Sequence, residues 1–247
     1  MTTSAPVPAL DRDLIARLRF DVIAASWTTD TLETLLSDGA LSALMRDSRL
    51  PALVELAGVT DPAATLTRFF VLGQPERASA LDAALLTLGA CGLGSLGLAA
   101  TIDEAEAASA LVMLRAGGAP KREPKEECEE ASSPKAPNLP TMRDPDEDAP
   151  EPEVEADPWM RALFDLRPHA ASLPGGDHEW WVASDLGEVQ TGKPLADDHV
   201  LGIGGATLTL LEMTVRERVD SALDVGCGCG IQALYLATHA DRVVATD

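Results

Sequence analysis

Apolar positions in the first hundred residues recur at helical spacing. Leu10, Leu14, Leu18 and Val22 stand four apart, which places them on one face of a helix. Asp30-Thr31-Leu32-Glu33 reads as an acidic variant of a capping box opening a second helix, with Leu32, Leu35 and Leu36 as its apolar positions. Asp61-Pro62 predicts a capped start with proline in the first turn, and Gly73 marks the end of that helix. Pro75 opens another, with Leu81, Leu85 and Leu88 inward and Gly89 as its stop. From Leu93 to Arg115 the helical period weakens and short strands are expected.

The pattern changes after the acidic middle of the chain. Met160–Leu166 and Glu179–Ala183 read as strands, and a helix through Leu208, Leu211 and Met213 follows the Gly202–Gly205 turn. A strand at Ala222–Val225, a glycine loop, a helix from Ile231 to about His239 and a strand at Val243–Thr246 then make a βαβ unit with parallel strands. The fold class expected is α/β. Residues 1–118 form a helical domain, 119–158 an insertion, and 159–247 the first part of a Rossmann-like sheet.

Composition sets the insertion apart. Residues 119–158 hold nine of the seventeen prolines, and thirteen acidic residues against five basic ones. Such a stretch has too little apolar surface to offset its ordering entropy, so disorder is expected. The whole chain carries a net charge of −21, which opposes broad electrostatic binding to nucleic acid. The uncharged run Ala83–Ile102 is long enough for a bilayer, but Gly89, Gly92, Gly94 and Gly97 break it and Asp82 and Asp103 flank it. No membrane span and no secretory signal are read, and a cytoplasmic location is the expectation.

Candidate chemistry concentrates in Leu223-Asp224-Val225-Gly226-Cys227-Gly228-Cys229-Gly230. A buried strand leads there into a tight turn, where glycine lets a ligand approach the backbone. The next helix aims its N-terminus at that ligand, and an acid after the second strand accepts ribose hydroxyls. That acid is Asp247, 21 positions after Gly226. A dinucleotide fingerprint needs a third glycine where Ile231 stands, and Asp224 would repel a pyrophosphate while suiting an ammonium group. This charge logic favours S-adenosylmethionine over NAD.

These residues resemble motifs I and II of class I S-adenosylmethionine-dependent methyltransferases. The Gly-Cys-Gly variant followed by Ile231-Gln232-Ala233 is most similar to the methyltransferase small domain branch, which includes release-factor glutamine and ribosomal RNA guanine-N2 methyltransferases. Trp180–Asp247 is similar to actinobacterial members with an extra N-terminal domain. The resemblance implies S-adenosyl-L-methionine as cofactor, with Asp224 toward its amino group, Gly226, Cys227, Gly228 and Gly230 along its methionine and ribose, and Asp247 on the ribose hydroxyls. It also implies that Val200–Thr207 is a loop helping to cover the cofactor. The methyl acceptor implied is a nitrogen of a translation-factor glutamine or of a ribosomal RNA base.

That branch carries its catalytic signature, Asn/Asp-Pro-Pro-Phe/Tyr, after the fourth strand, and no such string occurs here. The expectation is therefore a chain truncated after motif II, without a catalytic residue of its own and prone to aggregate. A non-catalytic nucleoside-binding or interaction module and an NAD-dependent oxidoreductase are the alternatives.

The remaining candidates have structural readings. Cys227 and Cys229 lack the partners a zinc site needs, and Asp177-His178 and Asp197-Asp198-His199 read as polar loop residues, so no metal site is expected. Trp180 and Trp181 point to opposite faces of a strand and are assigned to packing. The N-terminal domain is read as winged-helix-like, its wing strands at Leu111–Leu114 and Leu163–Leu166 interrupted by the insertion. Only Arg77 is basic between Gln74 and Ile102, so a scaffold or partner-docking role is expected for it.

Overall fold

A computed structural model describes residues 7–46, 48–115 and 157–247, which form α/β structure: helices around three small sheets. The predicted disorder of residues 119–158 falls almost wholly outside the described residues.

Short helices build the N-terminal core: α1 (Arg12–Ala24), α2 (Thr29–Leu35), α3 (Asp38–Leu44), α4 (Leu50–Glu55) and α5 (Pro62–Leu66). Helix α1 begins after Asp11, whose carboxylate accepts from the Asp13 and Leu14 amides, and this leaves Leu10 outside the helix and exposed. Thr28, not Asp30, caps α2: its side chain accepts from the Thr31 amide at 3.2 Å, and Asp30 falls in the first turn. Asp61 caps α5 as predicted, accepting from Ala63 and Ala64.

After α5 the chain widens into a π turn over Thr67–Val71, in which the Leu72 amide reaches the Thr67 carbonyl. Every residue of that turn is buried. Trp27 donates its indole N–H to Thr67 at 3.0 Å, and its ring stacks on Phe70, which meets Phe69 edge-on. Gly73 closes the segment at φ +66°, as the sequence indicates.

Pro75 does not open a helix. Glu76–Arg77 is extended as β1, because it pairs with a strand from beyond the insertion, and α6 (Ala78–Ala84) starts only afterwards. Leu81, Leu85 and Leu88 do face the core. Gly89, at φ +65°, opens α7 (Gly89–Ser95) instead of stopping α6. Asp82 accepts from the Ala90 amide at 2.7 Å and caps that turn.

Strand β2 (Ala99–Ile102) is followed by α8 (Glu104–Arg115), so Leu111–Leu114 is helical and not a wing strand. Asp103 accepts from the Glu106 amide, and few residues of α8 are buried apart from Ala107 and Leu114, which is why its period was hidden. Met160–Leu166 splits in two. β3 (Trp159–Ala162) lies antiparallel between β1 and β2, giving the order β1-β3-β2. Residues 159–162, expected to open the Rossmann-like part, therefore complete the N-terminal sheet, since β1 and β2 offer the edges that β3 fills.

A long hairpin, β4 (Phe164–Leu173) and β5 (Gly176–Asp185), joins this core to the C-terminal elements. Alternation along β5 makes it a shared wall. Trp181 and Ala183 pack on the N-terminal core, whereas Trp180 and Val182 pack with Leu211 and Ile231. The two tryptophans thus face opposite ways, as their adjacency in a strand requires. Beyond α9 (Glu188–Thr191) and α10 (Gly205–Met213), β6 (Val219–Val225) and β7 (Ala240–Thr246) run parallel, with α11 (Ile231–Leu236) between them in sequence. Helix α11 ends three residues short of His239, where turn hydrogen bonds from Thr238 and His239 take over.

One face of β6–β7 is uncovered. Leu223 and Val225 share it with Val244, which lies opposite Leu223, and they are 62%, 74% and 38% exposed. Apolar strand surface with open edges drives self-association. The 247-residue chain is expected to associate above micromolar concentration and to bind a hydrophobic dye, and Leu223→Lys with Val244→Lys to suppress both. Light scattering after size exclusion checks this; a wild-type chain that stays monomeric sinks it.

Candidate functional site

The glycine loop hangs from the end of β6. Gly226, Gly228 and Gly230 have φ of +73°, +48° and +76°, a backbone region that L side chains rarely enter. The Gly226 and Cys227 amides both donate to the Thr246 carbonyl, at 2.8 and 3.0 Å, and Gly230 donates back to Cys227 at 2.8 Å. These bonds tie the loop to the end of β7 and bring Asp247 beside it. A Cβ built on Gly226 or Gly230 would meet nothing within 4 Å, so open space lies over the loop.

Asp224, one residue before the end of β6, lies on the face opposite Leu223 and Val225. It is 9% exposed, and its Oδ2 is buried without a hydrogen-bond partner. Among the described residues no other buried side-chain polar atom is left this way. Native proteins pair buried acceptors almost without exception, so an orphan marks a place where a donor is missing. The Cys227 thiol is pushed up by burial and then by the Asp247 and Asp224 carboxylates, which keeps it protonated. A negative field therefore covers the loop.

The segment before α10 leans on this loop. Val200 Cγ1 comes within 4.0 Å of where a Cβ on Gly228 would lie, and Gln232 Nε2 donates to the Thr207 carbonyl at 3.1 Å. Val200 is itself held by Asp185, whose carboxylate accepts from the Val200 amide at 2.8 Å. All of the residues singled out by motif, from Asp224 to Asp247, thus gather at one end of the parallel pair. Asp185 and Gln232 were not legible: they act on segments 15 and 25 residues away.

Of the other candidates, Asp177 and His178 lie in β5 and not in a loop, and Asp177, Asp197 and Asp198 are exposed. His178 and His169 both stack with Trp180, and His169 Nε2 meets the Tyr235 hydroxyl at 2.9 Å. Burial lowers the His169 pKa, with Glu179 opposing, and raises that of Tyr235. His199 stands 3.9 Å from Asp185. Among the described residues no three His, Cys, Asp or Glu side chains are grouped to hold a metal ion. No single helix among them is long and apolar enough to cross a membrane; the run Ala83–Ile102 spans the end of α6, all of α7 and β2, and α6 and α7 are bent by 98°.

Comparison with known proteins reaches the other end of the chain. A family model described as "Domain of unknown function (DUF7059)" matches residues 24–117, less than half of the sequence and none of the glycine loop. No curated protein and no solved structure matches.

Proposed function

We propose that this chain carries the S-adenosylmethionine-binding part of a class I methyltransferase acting on nitrogen, with a translation-factor glutamine or a ribosomal RNA base as acceptor. The observation that carries the reading is the orphaned Oδ2 of Asp224. A ligand ammonium supplies the donor it lacks, and a charge-assisted bond in that position is strong. A pyrophosphate would instead meet the negative field of Asp224 and Asp247, which disfavours NAD. The residues present fit the cofactor: Asp224 would hold its amino group, the backbone of Gly226, Cys227, Gly228 and Gly230 would run along its methionine and ribose, and Asp247 would accept from the ribose hydroxyls. When bound, the cofactor supplies an electrophilic methyl group on a sulfonium. The chain's own residues contribute binding and alignment, which is most of what a displacement at such a methyl requires.

The N-terminal part is read as winged-helix-like. Its order, α5 with the π turn, β1, α6, α7, β2 and β3, in a sheet ordered β1-β3-β2, supports that reading, with α8 following β2 in sequence. Helix α7 carries no charged side chain, which supports partner docking over contact with phosphates. A cytoplasmic setting suits both proposed acceptors.

Isothermal titration of the 247-residue chain with S-adenosylhomocysteine tests the reading. Saturable one-to-one binding that excess NADH leaves unchanged is expected. Binding of NADH that survives S-adenosylhomocysteine would replace the methyltransferase reading with an oxidoreductase one.

A further inference from the structure

The segment Val200–Thr207, a loop that runs into the first turn of α10, lies between two supports. On one side β5 ends at Asp185, which accepts from the Val200 amide through its carboxylate at 2.8 Å and donates its own amide to the Val200 carbonyl at 3.0 Å. One residue earlier, Ser184 Oγ stands 2.9 Å from where a Cβ on Gly202 would lie, so a larger residue there would make the hydroxyl shift. On the other side Gln232, in the first turn of α11, holds the Thr207 carbonyl. Val200 is thereby fixed against Gly228.

The support at Asp185 is rigid because its strand is. Trp181 and Ala183, on alternate positions of β5, pack on the N-terminal core, and Trp181 donates to the Trp27 carbonyl at 2.8 Å. Asp185 therefore passes the stiffness of that core to the loop. The loop's exposed Leu201 and Gly204 have little packing of their own to hold it.

We propose that Asp185 is a positioning residue for the glycine-loop site: its carboxylate holds Val200–Thr207 against the glycine loop before ligand arrives, and affinity depends on that hold. The inference rests on the reading of the glycine loop as an S-adenosylmethionine site. Ordering the loop in advance removes its conformational entropy cost from the binding step. Asp185 acts through Val200 and carries no role in the chemistry. His199 is the titratable side chain beside it, 3.9 Å away.

Two variants and two readouts test this. Asp185→Ala removes the acceptor, whereas Asp185→Asn keeps an oxygen in the same place. In the ligand-free chain, amide exchange over residues 200–207 is expected to rise about tenfold in Asp185→Ala, and S-adenosylhomocysteine affinity to fall about tenfold, the scale of one lost hydrogen bond to a charged group. Asp185→Asn is expected to stay within about threefold of the wild type in both. Unchanged affinity in Asp185→Ala, or an Asp185→Asn variant that weakens as far as Asp185→Ala, overturns the inference and leaves the cofactor reading standing. A wild-type chain that does not bind S-adenosylhomocysteine removes both.

Discussion

Replacing Arg68 by Met is expected to cost the fold about 3–5 kcal/mol at pH 7, the scale of breaking a buried ion pair from one side. Arg68 Nε and Glu76 Oε1 are 2.6 Å apart, with both side chains about nine-tenths buried. The guanidinium also donates to the Leu56 and Val59 carbonyls at 3.0 and 2.7 Å and to Thr65 at 3.2 Å. Methionine fills much of the volume but removes the charged donor: Glu76 Oε1 is left with Gln74 Nε2 at 3.3 Å, and the Leu56 carbonyl with the Val59 amide at 3.2 Å. The pH dependence follows from Glu76, whose pKa burial raises above 4.5 while Arg68 pulls it back. A carboxyl with a raised folded-state pKa holds its proton longer in the folded chain. Its stability contribution is thus complete below the unfolded pKa and is lost as pH rises through the folded one. Without Arg68 the pull back disappears, so the loss extends to higher pH. The penalty in Arg68→Met should accordingly shrink as pH falls well below 4.5, where Glu76 becomes protonated in both states. Urea unfolding across that range measures it, and Arg68→Met with Glu76→Leu should recover most of the loss. A single variant within about 1 kcal/mol of wild type at neutral pH would show that the pair is not a linchpin of the core.

Asp224→Ala is expected to move binding and stability in opposite directions. Its orphaned Oδ2 is a buried acceptor that destabilises the ligand-free fold by about 1–3 kcal/mol, so removing it should raise the urea midpoint. The same change takes away the acceptor proposed for a ligand ammonium. S-adenosylhomocysteine affinity should fall about 10- to 100-fold, the range for a hydrogen bond to a charged group. A residue that only shaped the turn would lose stability and binding together. Wild-type affinity in Asp224→Ala would end the assignment of this carboxylate, and a lowered midpoint would show that the oxygen is satisfied in solution.

Much of the site was legible because its signals are local. Three glycines after a strand permit a tight turn with left-handed backbone, and all three adopt it. Asp247 needed only one intervening helix and strand to come back beside Gly226. The N-terminal elements were less legible at their ends. Thr28 displaced Asp30 as a cap because its extended backbone presents its hydroxyl to Thr31, a matter of two residues that composition does not decide. Helix α8 was missed because so little of it is buried that apolar periodicity, the main signal for a helix, is faint.

The sequence by itself determined the α/β class, the apolar faces of the helices, the turn conformations at glycine and the parallel βαβ unit with its acidic mouth. All of these depend on the order of side chains over a few residues. Tertiary structure decided the rest. It turned Glu76–Arg77 into a strand by offering β3, which arrives from beyond the acidic segment. It made β5 the wall between two cores. It set Asp185 on Val200, and it left Asp224 buried without a donor. Pairing and burial depend on which distant segments meet, and only the folded chain brings them together.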